Sequence, residues 1–203
     1  MELSNQTEQK ILEAAEKVFY SKGKEGASMQ EIANKAGITR TSLNYYYRSK
    51  DKLFEAVFRN AMSQFVPNIA ALMHNTESLS EYFPRMTEII IDTMIEQPQI
   101  PVFVLAELNS NPGRVPQVMS ELGIHPVHAM QKMKDDNSLG KLSIDPRQVM
   151  MNLMAMCIFP FVAKPMMLSI MYQGDEKDFI AAMRQRKQLI PQMVESMLKH
   201  FES

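Results

Sequence analysis

Side chains able to hydrogen-bond with nucleic acid crowd a short stretch that follows Gly37. Between residues 39 and 45 the chain carries Thr39, Arg40, Thr41, Ser42, Asn44 and Tyr45. An arginine can pair with two acceptors of guanine, and hydroxyl or amide groups can meet base edges or phosphate oxygens. This concentration of donors predicts a surface that contacts DNA.

Two short helices would position these side chains. Ser28 precedes an apolar stripe that begins at Met29, and its hydroxyl suits a helix N-cap. Gly37 suits the left-handed residue that ends a helix, and Thr39 suits the next N-cap. We predict one helix after Ser28 and a second over about 39–46, joined by a tight turn. This is the geometry of a helix-turn-helix, whose second helix enters the major groove.

The charge around this stretch has the sign expected for a phosphate-facing surface. Residues 22–59 contain eight Lys or Arg against four Asp or Glu, whereas the whole chain has a net charge of −1. Lys50, in the first turn of a helix capped by Ser49, adds a cation beside free backbone amides. The alternative is a generic helical hairpin whose polar face is merely solvated.

The remaining sequence predicts an all-α protein, because apolar residues recur at three and four positions and no period-two alternation is sustained. A domain boundary near residue 60 would separate an N-terminal three-helix helix-turn-helix domain (1–60) from a larger C-terminal helical domain (61–203). Predicted helices cover about 7–22, 28–36, 39–46, 49–75 with a bend at Pro67, 79–97, 99–110, 115–134, 146–172 and 176–201.

Residues 7–60 resemble the DNA-binding domain of the TetR family of bacterial transcriptional regulators. The matching motifs are Ile11-Leu12-Glu13-Ala14-Ala15 with Phe19 and Gly23, Ser28-Met29-Gln30-Glu31-Ile32-Ala33, Ala36-Gly37-Ile38-Thr39, and Ser42-Leu43-Asn44-Tyr45-Tyr46-Tyr47 with Ser49-Lys50-Asp51-Lys52-Leu53. The resemblance covers about a quarter of the chain. Beyond residue 60 the chain matches only as an all-helical segment of suitable length.

The resemblance implies a homodimer that binds a palindromic double-stranded DNA operator and responds to a small effector, and a repressor is favoured. The implied DNA contacts are Ser28, Gln30, Thr39, Arg40, Thr41, Ser42, Asn44, Tyr45, Tyr46 and Lys50. Thr41 and Asn44 depart from the family pattern, which usually has a small residue and an aromatic there. Leu43 and Tyr47 are expected in the core.

The C-terminal part holds 17 of the 19 Met residues, a composition typical of an adaptable apolar cavity. The family implies that a small hydrophobic or amphipathic effector binds there and that helices 146–172 and 176–201 form the dimer interface. Candidate ligand-binding residues are Phe65, Met94, Phe103, Met119, Met150, Met154 and Phe161.

Other chemistry is weakly represented. His125 and His128 have a spacing that could share a metal, but Pro126 disturbs the helix between them. Cys157 lies in an apolar stretch that favours a buried, inert thiol. We expect no enzyme activity, cofactor, metal or membrane span, and a cytoplasmic location. The rival hypotheses are an enzyme with a helical pocket and a helical ligand-binding protein that does not read DNA.

Overall fold

A computed structural model of the chain describes residues 2–75, 79–125 and 145–201. Throughout these ranges the regular structure is helical and no residue lies in a strand, which confirms the all-α fold. The helices of the described part are α1 (Glu2–Gly26), α2 (Met29–Ala36), α3 (Arg40–Tyr46), α4 (Lys50–Ser63), α5 (Val66–Asn75), α6 (Leu79–Glu96), α7 (Ile100–Ser110), α8 (Arg114–Glu121), α9 (Pro146–Val162), α10 (Lys164–Ile170) and α11 (Glu176–His200).

Side-chain caps set the starts of α2, α3 and α4. The hydroxyl oxygens of Ser28, Thr39 and Ser49 accept hydrogen bonds from the backbone N–H three residues further on, at 3.1, 3.1 and 3.2 Å. Each bond satisfies an amide that the helix itself leaves unpaired. Gly37 ends α2 in the left-handed conformation at φ 69°, ψ 30°, where its lack of a Cβ removes the steric cost.

The N-terminal helices pack around a closely filled core. α1 contacts α2 and α4, and α2 contacts α3. Phe19 of α1 meets Phe54 of α4 edge to face, with ring centroids 5.1 Å apart. At Gly23 the helical path of α1 is interrupted (φ 67°, ψ 178°), at the residue where the sequence predicts its end, and helical turns resume as far as Gly26.

The helix predicted over 49–75 with a bend at Pro67 is instead two helices. α4 ends at Ser63 and α5 starts at Val66, so Pro67 lies in the first turn of a new helix. This position tolerates proline because the first-turn amides have no intrahelical partner to lose. The break places Phe65 in the turn between the two helices.

The helix predicted over 146–172 is also divided. α9 ends at Val162 and α10 begins at Lys164, with a bend of 71° between them. In a continuous helix Pro165 would clash with the carbonyl group of Phe161 and offer it no N–H, whereas it fits the first turn of α10. Of the segment predicted over 115–134, α8 covers Arg114–Glu121 and residues 126–134 lie outside the described ranges.

The C-terminal helices form a second packed group in which α6 is central. α6 contacts α5, α9 and α11, and α7 contacts both α1 and α9. No single helix of the described part is long and apolar enough to cross a membrane. Two bent pairs, α6 with α7 and α9 with α10, reach that length and apolarity only when their members are taken together.

Arg186 of α11 satisfies a backbone group that a proline in α9 leaves unpaired. Pro160 has no N–H to donate to the carbonyl oxygen of Met156, four residues earlier. The Arg186 Nη2 group donates to this oxygen instead, at 2.9 Å. A side chain of α11 therefore completes the hydrogen bonding of α9.

Replacing Arg186 by Met should lower the free energy of unfolding by about 1–3 kcal/mol, because the Met156 carbonyl oxygen would lose its partner in a partly buried place. The measurement is urea unfolding followed by circular dichroism. In a Pro160→Ala background, the new N–H at position 160 can donate to the Met156 carbonyl oxygen. Arg186→Met should then lower the free energy of unfolding by clearly less than it does in the Pro160 protein. Arg184→Met, an exposed change on the same helix, is the control. An equal loss with Pro160 and with Ala at that position would contradict this account.

Candidate nucleic-acid interface and ligand cavity

The outer face of α3 presents predicted DNA contacts to solvent. Arg40, Thr41, Asn44 and Tyr45 are exposed, and Tyr45 is exposed over 84% of its surface. Leu43 lies between them in the sequence but is completely buried, as expected. This burial fixes one side of α3 against the core, so residues at the spacing 40, 41, 44 and 45 share the opposite side.

The shorter polar side chains of the predicted interface are held by local hydrogen bonds. Ser28 and Thr39 are the exposed caps described above, and the Thr39 hydroxyl also donates to the Ser42 hydroxyl oxygen at 3.0 Å. Gln30 donates from Nε2 to Oδ1 of Asn34 at 2.9 Å. The cap geometry thus fixes the position of these hydroxyl groups before any ligand arrives.

The three consecutive tyrosines have different surroundings. Tyr46 is half-buried and meets the exposed Tyr45 ring edge to face at 5.6 Å. Tyr47 is half-buried, and its hydroxyl donates to Oε1 of Glu8 at 3.1 Å. Burial, together with the Glu8 carboxylate, raises the pKa of Tyr47 above its ordinary value, so the phenol stays protonated. Tyr45 projects into solvent, whereas Tyr47 ties α3 to α1.

Lys50 has an internal role that its sequence position does not indicate. Its Nζ donates to the carbonyl oxygens of Ala27 at 3.3 Å and Glu25 at 3.5 Å. These contacts join the first turn of α4 to the connection between α1 and α2. An ammonium group has three protons, so two carbonyl bonds leave one donor for another acceptor. A phosphate contact by Lys50 stays a prediction.

Ion pairs neutralise part of the basic charge of residues 22–59 and leave a smaller set of cations available. Four pairs are made: Lys22 with Glu31 at 2.7 Å, Lys24 with Asp51 at 2.9 Å, Lys52 with Glu55 at 3.1 Å, and Arg59 with Glu121. Across the described ranges, Lys35, Arg40 and Arg48 have no carboxylate within 4 Å, and all three are exposed. Lys35 and Arg48 were not predicted as DNA contacts. The sequence does not indicate which cations are neutralised, because among the four ion pairs only Lys52 and Glu55 lie three residues apart on one helix.

The C-terminal helices, with the end of α4, line a partly open cavity of about 320 Å³. Five of the seven residues predicted to line it do so: Phe65, Met94, Met119, Met150 and Met154. Further lining residues come from α4 and α5 (Met62, Val66, Ile69), α6 (Tyr82, Met86, Ile90), α7 (Ile100, Pro101, Val104, Leu105, Leu108), α8 with the residues after it (Val115, Ile124) and α9 (Ile158). The wall is almost entirely carbon and thioether sulfur.

Phe103 and Phe161, the other two candidate ligand-binding residues, do not line this cavity. Phe103 turns toward the N-terminal domain, where its ring lies 4.8 Å from that of Tyr20 and 5.3 Å from that of Phe54. Phe161 lies edge to face with Phe179 of α11, with centroids 6.0 Å apart. Both rings therefore fill contacts between helices.

Because of this arrangement, α7 is shared by the cavity and the N-terminal helices α1 and α4. Val104 and Leu108 of α7 line the cavity, while Phe103 packs on α1 and α4. Glu107, only 5% exposed, forms an ion pair with Arg114 of α8, whose guanidinium lies 5.9 Å from the ring centre of Phe54. A shift of α7 therefore changes contacts on both sides.

Cys157 is buried between α6, α9 and α11. Burial raises the pKa of its thiol to about 11, although Thr87 and the Arg186 guanidinium act in the opposite direction. Among the described residues, no group of three His, Cys, Asp or Glu side chains is placed to hold a metal ion. His125 is exposed, and His128 lies outside the described ranges.

Comparison with known proteins places the N-terminal helices in a family. Residues 11–57 match the family model described as "Bacterial regulatory proteins, tetR family". The chain is 32% identical over 84 residues to an uncharacterised HTH-type transcriptional regulator, YvdT, of Bacillus subtilis, a match that covers 41% of each chain. It is 28% identical over 110 residues to the HTH-type transcriptional repressor NicS of Pseudomonas putida, covering 54% of this chain and 51% of NicS. The matched segments thus span about half or less of these two relatives.

A solved structure extends the likeness to most of the fold. The transcriptional regulator FadR from Bacillus subtilis, in complex with stearoyl-CoA, superposes with a TM-score of 0.64. The match covers 90% of this chain and 96% of that chain at 14% identity. The C-terminal helices therefore share their arrangement with a regulator although their sequences have diverged.

In the folded protein, Cys157 should react slowly with iodoacetamide at pH 7.5, because the thiolate is the nucleophile and the raised pKa leaves almost none of it. Alkylation followed by mass spectrometry, with and without 6 M guanidinium, measures the difference. Since the chain has one cysteine, the readout belongs to this site alone. Native-state alkylation as fast as that of the unfolded chain would show that the thiol is accessible and ionised.

Proposed function

The chain belongs to the TetR family of bacterial regulatory proteins and is a DNA-binding transcriptional regulator, and from this premise we propose the finer function. It acts as a homodimeric repressor that leaves a palindromic operator when a small apolar or amphipathic molecule fills the C-terminal cavity. The observation that carries this proposal is the presentation of α3, whose exposed Arg40, Thr41, Asn44 and Tyr45 stand beside a buried Leu43.

The reading surface has the chemistry that base recognition needs. Arg40 begins α3 and, within the described part, has no carboxylate partner, so its guanidinium is free to pair with guanine. Lys35, in the last turn of α2, and Arg48, just after α3, add exposed positive charge. We assign these two to phosphates, where a cation fixes orientation without reading sequence. The repressor sense is supported by the printed name of NicS.

An apolar face on α9 and α11 supports the dimer. Met151 and Phe159 of α9 are 55% and 54% exposed, and Leu189 and Met193 of α11 are 41% and 49% exposed. Residues 151 and 159, and residues 189 and 193, each share one side of their helix. Two such helices from each subunit form a four-helix bundle that would cover this face. We therefore propose this face as the dimer interface that the family implies for helices 146–172 and 176–201.

Release from DNA follows from a shift between two populations of the dimer. A ligand in the cavity touches α4 through Met62 and α7 through Val104. The ligand stabilises the dimer conformation in which it fills the cavity best, and this conformation has its own spacing between the two α3 helices. The ligand can shift the equilibrium between the two conformations only by the difference in its affinity for them. A ligand with equal affinity for both states changes nothing.

The test is selection of bound duplexes from a randomised DNA pool. A two-fold dimer should enrich an inverted repeat with half-sites about 10 base pairs apart, or a multiple of that distance. Binding of the enriched duplex should weaken steeply as salt rises, because phosphate contacts release counterions. Failure to enrich any sequence over a scrambled pool would overturn the DNA-reading function.

Arg40→Ala should reduce discrimination between the selected duplex and one with a changed base pair by about 1–3 kcal/mol, or roughly 5- to 150-fold, because a bidentate base contact is lost. Fluorescence anisotropy with both duplexes measures it. Arg184→Ala, which removes an exposed arginine on α11, is the matched control and should change neither affinity. Equal weakening on both duplexes would assign Arg40 to phosphates instead.

Phe159→Glu should convert the dimer to a monomer, because a charge would be buried at the centre of the proposed bundle. Sedimentation velocity should show the change in mass, and affinity for the inverted repeat should fall at least tenfold, since half of the contacts are lost. Val102→Glu makes the same kind of change at an apolar residue of α7 that is 52% exposed, and it should leave the dimer intact. A dimer that survives Phe159→Glu would place the interface elsewhere.

A further inference from the structure

The wall of the C-terminal cavity has a chemistry that restricts its ligand. Its thioether groups come from four helices: Met62 from α4, Met86 and Met94 from α6, Met119 from α8, and Met150 and Met154 from α9. The other lining side chains are aliphatic or aromatic, and among them Tyr82 alone carries a polar atom, its hydroxyl. No charged side chain of the described ranges lines the cavity.

We propose that the ligand of this cavity is an uncharged, hydrocarbon-like molecule and that a charged head group cannot enter it. This rests on the proposed function for the cavity's role as effector site, and it narrows the effector from apolar or amphipathic to neutral and apolar. A cavity that binds a polar or ionic group normally supplies a few placed partners for it. Within the described lining, the Tyr82 hydroxyl is the one polar side-chain group, and no side chain supplies a counter-charge for a carboxylate or an ammonium ion.

The energetic argument follows from the cost of an unpaired charge. Moving a carboxylate or ammonium from water into an apolar enclosure without a counter-charge is so unfavourable that the group changes protonation state instead. Tyr82 illustrates the same environment, since burial raises the pKa of its phenol to about 12. An acid would therefore bind in its protonated form and an amine in its neutral form.

The methionine content adds a second property, which is tolerance of shape. An unbranched thioether side chain changes its conformation easily and makes favourable contacts with both alkyl and aromatic groups. With six such side chains around one cavity, affinity should depend on the amount of apolar surface buried more than on the outline of the ligand. Hydrophobic contact discriminates weakly between neighbours in a homologous series.

The experiment compares three eight-carbon probes at equal concentration: 1-octanol, octanoate and octylammonium, measured by isothermal titration calorimetry on the full chain. We expect 1-octanol to bind, and affinity to rise about fourfold per methylene from hexanol to octanol. Octanoate at pH 8 should bind at least about a hundredfold more weakly than octanol, because only a minute fraction of it is protonated. Octylammonium should be similarly weak.

The dependence on pH gives the distinguishing signature on the unaltered protein. Between pH 8 and pH 6.5 the apparent affinity of octanoic acid should rise about tenfold for each unit that the pH falls, since the protonated fraction rises by that factor. Octylammonium should change in the opposite direction, and octanol should not change. Octanoate binding as tightly as octanol at pH 8 overturns the proposal, and so does the absence of binding by all three probes.

A charge placed in the wall should change the preference. Met119 is half-buried on α8, so Met119→Lys can bring an ammonium to the cavity, and it should tighten octanoate binding at pH 8 at least tenfold. Gln117→Lys adds the same charge on the exposed side of α8 and should have no effect. Thermal melting of both variants checks that they fold. If Met119→Lys folds and octanoate binding stays unchanged, the missing counter-charge is not what excludes the carboxylate.

The DNA measurement separates this inference from the function on which it rests. Octanol is added to the protein bound to its selected duplex, and anisotropy reports release. Octanol that binds without releasing DNA leaves the ligand class standing and overturns the effector role. DNA that is released by octanoate as readily as by octanol at pH 8 overturns the ligand class and leaves regulation by ligand standing.

Discussion

The packing of α7 between two different environments constrains the rest of the molecule. On one side Val104 and Leu108 form cavity wall, and on the other the ring of Phe103 lies within 6 Å of the rings of Tyr20, Phe54 and Phe58. Protein interiors are packed too closely to absorb a local displacement. A ligand that moves α7 would therefore also disturb α1 and α4, against which Phe103 packs. We propose that packing couples the cavity to α3 through α1 and α2, because α7 contacts α1, α1 contacts α2, and α2 contacts α3.

The surface around α2 and α3 and the lining of the cavity differ in charge. Around α2 and α3, carboxylates neutralise some basic residues and leave Lys35, Arg40 and Arg48 without acidic partners in the described ranges. At the cavity no charged group is present in the described lining. One surface is thus suited to a polyanion and the other to a neutral molecule, so DNA and ligand do not compete for the same kind of contact.

Much of the structure of residues 28–50 was predictable because short-range hydrogen bonds set the helix ends. The features that the sequence did not predict depend on contacts between residues far apart in the chain. Ser28, Thr39, Ser49 and Gly37 set helix ends through bonds within a few residues, and a sequence contains that information. Lys50 instead bonds to carbonyl groups 23 and 25 residues away. The first seven residues of α7 are all apolar, so periodicity could not tell whether Phe103 or Val104 faces the cavity. A proline such as Pro67 or Pro165 can either bend a continuous helix or lie in the first turn of a new one, and the sequence does not distinguish the two. In the structure both prolines lie in the first turn of a new helix.

Thermodynamic linkage tests the central claim, that cavity and reading helix are coupled, most directly. Calorimetry would give the affinity of 1-octanol for the free protein and for the protein saturated with its selected duplex, and anisotropy would give the DNA affinity with and without octanol. Coupled sites must change each other's affinity by the same factor. We expect octanol to bind the DNA complex more weakly than the free protein, by the factor that octanol weakens DNA binding. Equal octanol affinities in the two states would contradict the account, however tightly each ligand binds alone.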